Sequence, residues 1–160
     1  MKILILGAAG QISRILTDKL LKETDHDIVL YARRADYRLE AKSKRVEIIS
    51  GDFQEYSKLI NSMSGVDVVY LNDMLNASAV QSIVSAMDEA GVKRLIGSTA
   101  LGIYDEVPGA FGNWNKAMVG IHTPSLKSAA KVVEELNIDY TLLRLTWLYN
   151  KEGNEDYYPL

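Results

Sequence analysis

Residues 2–13 read KILILGAAGQIS, an apolar run that ends in two closely spaced glycines. The unbroken apolar start predicts a central parallel strand that is covered on both faces. Gly7 permits a tight turn, and Gly10 lets the backbone come close to a ligand. After the glycines, apolar residues recur at helical spacing. The stretch therefore predicts a strand, a glycine turn and a helix in immediate succession.

A strand, glycine turn and helix in this order are typical of a dinucleotide site. The free N–H groups and the dipole at the start of such a helix attract phosphate. The third small position of the motif holds Ser13 in place of glycine, which still lets the helix pack near the strand. The alternative is an ordinary strand-to-helix turn that contains two glycines. We expect a pyrophosphate to contact the turn and the start of the helix through Gly7, Ala9, Gly10, Gln11 and Ile12.

Length and composition indicate one domain over residues 1–160, with 48% hydrophobic residues to build a core. The net charge of −3 gives no reason to expect nucleic acid or an anionic membrane as a partner. No apolar run approaches the ~20 residues of a membrane span. The absence of cysteine excludes disulfides and thiolate chemistry and fits a cytoplasmic location. The two histidines, His26 and His122, are far apart, so no metal site is expected.

Apolar runs alternate with amphipathic stretches along the whole chain. This alternation predicts an α/β fold with a doubly wound parallel sheet, the Rossmann fold, in which right-handed crossovers place helices on both faces. The ligand of such a sheet lies at the carboxyl ends of the strands, so site residues should follow strands directly. The predicted strands are 2–6, 28–32, 46–50, 66–71, 93–98 and 140–145, and the predicted helices are 11–23, 54–62, 76–90 and 124–136.

The end of the second strand bears on the choice of dinucleotide. A carboxylate there would bind the adenosine ribose and repel a 2′-phosphate, but this chain has Arg33 and Arg34. Two guanidinium groups suit the extra phosphate of NADP, so we expect NADP and keep NAD as the alternative. A solvated basic loop would explain the same residues, because further cations follow: Arg38, Lys42, Lys44 and Arg45.

Two further strand ends supply candidate cofactor contacts. Asp52 and Phe53 follow the third strand. The Asp52 carboxylate could accept a hydrogen bond from the adenine amino group, or cap the helix that follows. The fourth strand ends at Leu71 and Asn72, where the backbone would pass beside the nicotinamide ribose.

Three segments together resemble the atypical short-chain dehydrogenase/reductase superfamily: GAAGQIS, the GDF after the third strand, and IDYTLLRLTWLYN from residue 138 to 150. Within it, the chain is similar to the NmrA-like, NAD(P)-binding group that includes flavin and biliverdin reductase-type members. The resemblance covers residues 1 to 158. It implies a Rossmann domain that binds a nicotinamide dinucleotide and a small-molecule substrate.

The resemblance also implies catalytic positions. In the superfamily a Ser or Thr after the fifth strand holds the substrate oxygen, which here suggests Ser98 with Thr99 beside it. A Tyr-x-x-x-Lys pair supplies the acid and positions the ribose; Lys127 matches the lysine, but Thr123 stands where the tyrosine would be. His122 is a candidate acid, because its unperturbed pKa is near ~6.5, although a structural role is the alternative.

Residues 101–119 are expected to form a long irregular segment that bears aromatic residues and glycines. Placed after the fifth strand, it would overhang the nicotinamide as a substrate lid, or serve as a packing flap or an oligomer contact. Tyr104 in this segment is a further candidate acid, and Trp147 is expected in the core.

Three functions follow from these expectations. The first is an NADP-dependent oxidoreductase that transfers hydride to a small conjugated, quinone-like or carbonyl substrate. The second is a non-catalytic, NmrA-like redox sensor that binds the dinucleotide, which the missing tyrosine favours. The third is an NAD-dependent epimerase or dehydratase. Relatives of this type continue beyond position 160, so the chain is expected to be either a fragment of a longer protein or a minimal protein. In both cases part of the substrate wall would be missing, and the apolar surface this exposes would favour a homo-oligomer.

Overall fold

Six strands pair in parallel to form a single sheet in a computed structural model of the chain, which describes residues 1–136 and 138–148. The strands are β1 (Lys2–Leu6), β2 (Asp27–Ala32), β3 (Val46–Ser50), β4 (Val68–Leu71), β5 (Arg94–Ala100) and β6 (Asp139–Leu145). The helices are α1 (Gln11–Glu23), α2 (Ala35–Arg38), α3 (Tyr56–Ser62), α4 (Ala77–Ala90), α5 (Gly109–Val119) and α6 (Thr123–Glu134).

The order of the strands across the sheet is β3-β2-β1-β4-β5-β6. From β1, the strands β2 and β3 follow in turn toward one edge of the sheet. The chain then returns to the other side of β1, where β4, β5 and β6 follow in turn toward the opposite edge. The change of direction lies between β1 and β4, and in a doubly wound sheet the crevice at this point binds the ligand. The predicted α/β fold with a doubly wound parallel sheet is confirmed.

Apolar side chains cover both faces of the sheet and form two core clusters. One cluster joins the sheet to α3, α4 and α6 through side chains such as Leu59, Ile83 and Val133. The other joins it to α1 and α2 and includes Ile5, Leu30 and Ala35. The continuous apolar runs of β1 and β2 follow from this, because a strand in the middle of the sheet is buried on both sides.

Most elements begin and end within two residues of the prediction. The Asn76 side chain caps α4 by accepting hydrogen bonds from the Ser78 and Ala79 N–H groups, at 3.0 and 3.1 Å. Gly91 ends the same helix with a φ of 74°. Two differences concern the site: the short helix α2 was not predicted, and β5 continues to Ala100, so that Ser98 and Thr99 lie within this strand rather than after it.

The prediction of an irregular segment over residues 101–119 is wrong for its second half, which forms α5. The irregular part ends at Pro108, which precedes the first turn of this helix. Asn115 is buried and donates a hydrogen bond of 3.0 Å from Nδ2 to the Leu101 carbonyl. This contact ties α5 to the end of β5, a long-range constraint that local sequence does not reveal.

The C-terminal part of the chain bears on two expectations. Tyr149 and Asn150 of the DYTLLRLTWLYN stretch, and the polar tail expected to leave the substrate wall incomplete, lie outside the described residues. Within the described part, none of the helices has the length and hydrophobicity needed to cross a membrane.

A substitution at Asn115 tests whether its buried side-chain amide anchors α5 to the end of β5. Asn115→Ala leaves the Leu101 carbonyl without its donor, so we expect the free energy of unfolding to fall by about 1–3 kcal/mol. Urea denaturation followed by circular dichroism measures the change. Asn113→Ala, on the exposed side of the same helix, is the matched control and should change stability by less than about 0.5 kcal/mol. Equal losses in the two variants would contradict this anchoring role.

Candidate nucleotide-binding site

The glycine turn connects the end of β1 to the start of α1. Gly7 has a φ of 76°, which favours glycine, and its N–H and that of Ala8 both donate to the Tyr31 carbonyl of β2, at 3.0 and 3.2 Å. No side chain caps α1, and the first hydrogen bond back to the turn runs from Arg14 N–H to the Gly10 carbonyl, at 3.1 Å. The positive end of the α1 dipole therefore faces the crevice with no side-chain cap in front of it.

Gly10 lies against a side chain from the neighbouring strand. A Cβ atom at this position would come within 2.7 Å of Asn72 Nδ2, a separation that real structures avoid. Asn72 follows β4, and its N–H donates to the Leu6 carbonyl at 3.1 Å. Glycine at position 10 thus lets the turn and the end of β4 approach each other.

Tyr31 fixes the side of the crevice that lies next to β2 and β3. Its hydroxyl donates a hydrogen bond of 2.7 Å to the Asp52 carbonyl, and its ring stacks on Phe53 at 6.0 Å between centroids. A Cβ atom on Gly51 would collide with this hydroxyl. Burial raises the pKa of Tyr31 to about 12, and the carboxylates of Glu55 and Asp52 add to the effect. The phenol is therefore a stable hydrogen-bond donor that fixes the loop after β3.

The Asp52 side chain serves the loop as well as the crevice. Its Oδ1 accepts from the Gln54 N–H at 3.1 Å, which closes a turn before α3. Its Oδ2 lies 3.9 Å from Arg33 Nε, an exposed ion pair. The residue preceding α3 is Glu55, so Asp52 stabilises the turn before the helix but does not cap the helix itself.

The basic segment after β2 divides into residues that face the crevice and residues that do not. Arg33 lines the crevice, and so does Arg38, which the basic-loop interpretation placed on the surface. Arg34 has a left-handed φ of 52° at the start of α2 and is not among the described lining residues. The contact predicted for Arg34 stays a prediction, and Arg38 is a lining residue that the sequence reasoning did not select.

Together these residues surround a cavity of about 370 Å³ at the change of direction between β1 and β4. This volume lies within the range of small-molecule pockets, roughly 300–1,000 Å³. Three of the predicted cofactor contacts, Gln11, Ile12 and Leu71, are not among the residues described as lining this cavity, and Leu71 is buried in the core. The predicted residues that line it are Gly7, Ala9, Gly10, Arg33, Asp52, Phe53 and Asn72.

Ser98 is buried and bonded to a tyrosine that the sequence reasoning did not single out. The Tyr70 hydroxyl lies 2.7 Å from Ser98 Oγ and 3.4 Å from Asn72 Oδ1. Tyr70 and Ser98 come from the neighbouring strands β4 and β5, so the contact joins Ser98 to the crevice through Asn72. The period-two alternation of β4, which points Tyr70 away from Leu71, is the signal that could have revealed this.

Lys127 and Tyr104 contact each other. Lys127 Nζ lies 5.5 Å above the Tyr104 ring, and the Tyr104 hydroxyl donates to Glu134 Oε2 at 2.7 Å. Burial, followed by the hydrogen bond to Glu134, raises the pKa of Tyr104 to about 12. The expectation that Tyr104 replaces the missing acid is therefore disfavoured. His122 is exposed and precedes α6, where its carbonyl accepts from the Leu126 N–H at 3.0 Å.

Glu106 organises the loop that leaves β5. Its carboxylate accepts hydrogen bonds from the N–H groups of Gly102 and Tyr104, at 3.0 and 2.9 Å, and from Arg144 of β6 at 3.2 Å. Burial acts to raise the pKa of Glu106, but these hydrogen bonds and the Arg144 charge outweigh burial, so the pKa lies below its ordinary value. The loop is thus held in place by a charged carboxylate.

The geometry fits a dinucleotide. A Cβ at Gly10 would press on the Asn72 side chain, the α1 terminus has no side-chain cap, and the crevice has a suitable volume. The sequence pattern of the NAD(P)H-binding family matches residues 7–159. The chain belongs to this family. The expected nicotinamide dinucleotide and the family resemblance are thereby confirmed, and in the part that the structure describes no cluster of side chains is suited to a metal ion.

The chain is also similar to proteins whose activity or bound cofactor is stated. A short-chain dehydrogenase/reductase from Veillonella parvula, solved in complex with NADP, is 38% identical, with a TM-score of 0.92 over 97% of this chain and 73% of that one. An NAD(P)H azoreductase from Xenophilus azovorans is 30% identical over 115 residues, which are 70% of this chain. The match spans only 40% of the azoreductase.

A more distant structure shows the same fold. The anaerobilin reductase of Escherichia coli O157:H7 is 21% identical and superimposes with a TM-score of 0.72, over 90% of this chain and 72% of that one. At this identity the likeness concerns the fold alone.

The Glu106 contacts predict a dependence of stability on pH. A carboxylate whose pKa is depressed by folding stabilises the fold above its unfolded-state pKa of 4.5, and this contribution is lost as the pH falls through the folded-state pKa. Glu106→Gln should therefore lower the melting temperature at pH 7, and the difference from wild type should shrink on acidification below 4.5. Scanning calorimetry measures both. Glu40→Gln, at an exposed position, is the control, and a difference that does not change with pH would contradict the role of the charge.

Proposed function

We propose that this protein is an NADP-dependent oxidoreductase that reduces a planar, conjugated acceptor of the quinone, flavin or azo class. The observation that carries the cofactor choice is the pair of guanidinium groups, Arg33 and Arg38, that line the crevice beyond β2. The carboxylate of Asp36 on the same segment is engaged by Ser50 of β3. A 2′-phosphate would therefore meet two cations, in the geometry that favours NADP over NAD.

The chain contributes positioning rather than acid–base groups. When bound, the reduced nicotinamide would supply a hydride, and one proton from solvent would complete a two-electron reduction, of a quinone to a hydroquinone or of an azo group to a hydrazo group. The glycine turn and the α1 terminus hold the diphosphate. Asn72, fixed by its backbone hydrogen bond to Leu6, is placed beside the ribose that follows. Rings held face to face in this way need no strong acid near the acceptor.

An exposed aromatic surface made of Phe111, Trp114 and Trp147 suits such an acceptor. The Phe111 and Trp114 rings lie 5.7 Å apart, and the Trp114 and Trp147 rings lie 5.1 Å apart. Trp114 remains 47% exposed and Trp147 38% exposed, so the expectation that Trp147 belongs to the core is wrong. These residues follow β5 and β6, so they occupy the same edge of the sheet as the crevice. An exposed surface of stacked rings can bind a flat conjugated molecule by stacking.

A carbonyl substrate is less well supported. Reduction of an isolated carbonyl requires a proton donor at the oxygen, and Tyr104 is engaged by Glu134 with a raised pKa. The buried Tyr70–Ser98 pair offers hydrogen bonds but is removed from solvent. The proposals that Ser98 contacts the substrate and that Lys127 contacts the ribose rest on the family resemblance alone.

The related proteins agree with the proposed activity. The V. parvula protein was solved with NADP, and the X. azovorans relative is an azoreductase, whose substrates contain conjugated N=N bonds. The described residues that line the crevice include neither a tyrosine nor a histidine, which also favours a second function, a non-catalytic sensor that binds NADPH and signals through a protein contact.

The cofactor choice is tested at Arg33. Arg33→Ala should weaken NADPH binding about tenfold and leave NADH binding nearly unchanged, because only the former carries the 2′-phosphate. Titration calorimetry with both reduced cofactors gives the dissociation constants. Lys44→Ala removes the same charge outside the crevice lining and should alter neither constant. Equal losses for NADPH and NADH in Arg33→Ala would contradict the proposed phosphate contact.

The acceptor class is tested at Trp114. The wild-type protein should oxidise NADPH with quinones, flavins or azo dyes, which is followed by the loss of nicotinamide absorbance. Trp114→Ala should raise the acceptor KM roughly tenfold without changing the NADPH dissociation constant, because ring stacking contributes about 0.5–1.5 kcal/mol beyond area burial. Tyr56→Ala, an exposed aromatic residue on α3, is the control. NADPH binding without turnover of any acceptor would instead support the sensor.

A further inference from the structure

Arg14 joins two parts of the crevice that are far apart in sequence. Its Nε donates to the Ala9 carbonyl at 3.2 Å, and its Nη2 donates to the Arg38 carbonyl at 2.9 Å. Ala9 belongs to the glycine turn, and Arg38 is the last residue of α2. One guanidinium group therefore fixes the distance between the phosphate turn and the segment that follows β2.

The segment that Arg14 holds has few other anchors. Helix α2 contains four residues, too few to keep its own geometry in isolation. Of its side chains, Ala35 is fully buried, and Asp36 is bonded to Ser50 at the end of β3. Besides the apolar packing of Ala35, the Arg14 hydrogen bond connects α1 to this segment, and it acts on the backbone of Arg38.

The Arg38 side chain is available to a ligand. Its Nη1 donates to the Arg33 carbonyl at 3.3 Å, which lays the guanidinium along the crevice. Among the described residues no carboxylate forms an ion pair with it, whereas Arg33 lies 3.9 Å from Asp52. Arg38 therefore retains donors and a full charge on the side of the crevice where a 2′-phosphate would lie.

We propose that Arg14 is a positioning residue for NADPH and that Arg38 is the second phosphate-binding cation that it positions. By bridging the Ala9 and Arg38 carbonyls, Arg14 holds α2 in the orientation that brings Arg38 beside Arg33. This inference rests on the proposed cofactor choice. It assigns a role in discrimination between NADPH and NADH to Arg14, whose described hydrogen bonds go to two backbone carbonyls.

Binding measurements on the full chain test this role. The NADPH and NADH dissociation constants of Arg38→Ala, Arg14→Ala and Arg14→Lys are compared with those of the wild type by titration calorimetry. Each variant should lose about tenfold in NADPH affinity and less than about twofold in NADH affinity. Lysine should not restore the preference, because one ammonium group cannot reproduce the fork that spans both carbonyls.

Arg45 provides the matched control. It also binds backbone carbonyls, those of Thr24, His26 and Leu21 at 2.9 Å each, but near the opposite ends of the strands. Arg45→Ala should lower the melting temperature and leave the ratio of NADPH to NADH affinity unchanged. If Arg14→Ala behaved in the same way, Arg14 would be a structural residue and the inference would be wrong.

Other outcomes separate this inference from the proposed function. Equal losses for both cofactors in Arg14→Ala would show that it supports only the phosphate turn. An unchanged ratio in Arg38→Ala, which removes an exposed side chain and should fold, would exclude Arg38 as a phosphate ligand even if Arg14→Ala were unstable. A wild-type protein that binds neither nucleotide would contradict the proposed function itself.

Discussion

The parallel pairing of β1 with β2 on one side and β4 on the other is the constraint on which the crevice depends. Parallel strands bring their carboxyl ends to one edge, so the turn after β1, the segment after β2 and Asn72 after β4 must meet there. The Tyr31 carbonyl strengthens this arrangement by accepting two N–H groups from the glycine turn. The end of β2 thereby sets the position of the turn, and the turn sets the direction in which α1 starts.

The sequence predicts this part of the molecule well, and the reason is physical. Gly7, Gly10, Asp52 and Asn72 directly follow apolar strands, so a correct prediction of the strands places them at the right edge. Arg38 could not be found in this way, because its position depends on a short helix and on Arg14, a side chain from another element. From the sequence, Arg38 was assigned to a solvated basic loop.

The region after β5 shows the opposite case. The residue types there predict an irregular loop with glycines and an unbonded Tyr104 hydroxyl. Contacts with other elements determine both the conformation of this segment and the environment of the hydroxyl. Buried Asn115 attaches the second half, a helix, to the end of β5, and the Glu106 carboxylate accepts hydrogen bonds from N–H groups of the first half. Lys127 Nζ and Arg144 Cζ lie 5.5 and 5.0 Å from the centroid of the Tyr104 ring. The sequence pattern of a single segment does not predict contacts of this kind, because they form between side chains of different elements.

The segment from Arg33 to Arg38 packs against the core through few side chains, and this has an evolutionary consequence. Apart from Ala35, its side chains are exposed, so exchanging them leaves both core clusters packed as before. If this segment binds the 2′-phosphate as proposed, selection can change the nucleotide preference in a few steps while the scaffold stays intact. Descendants of such a chain would diverge in coenzyme use sooner than in architecture.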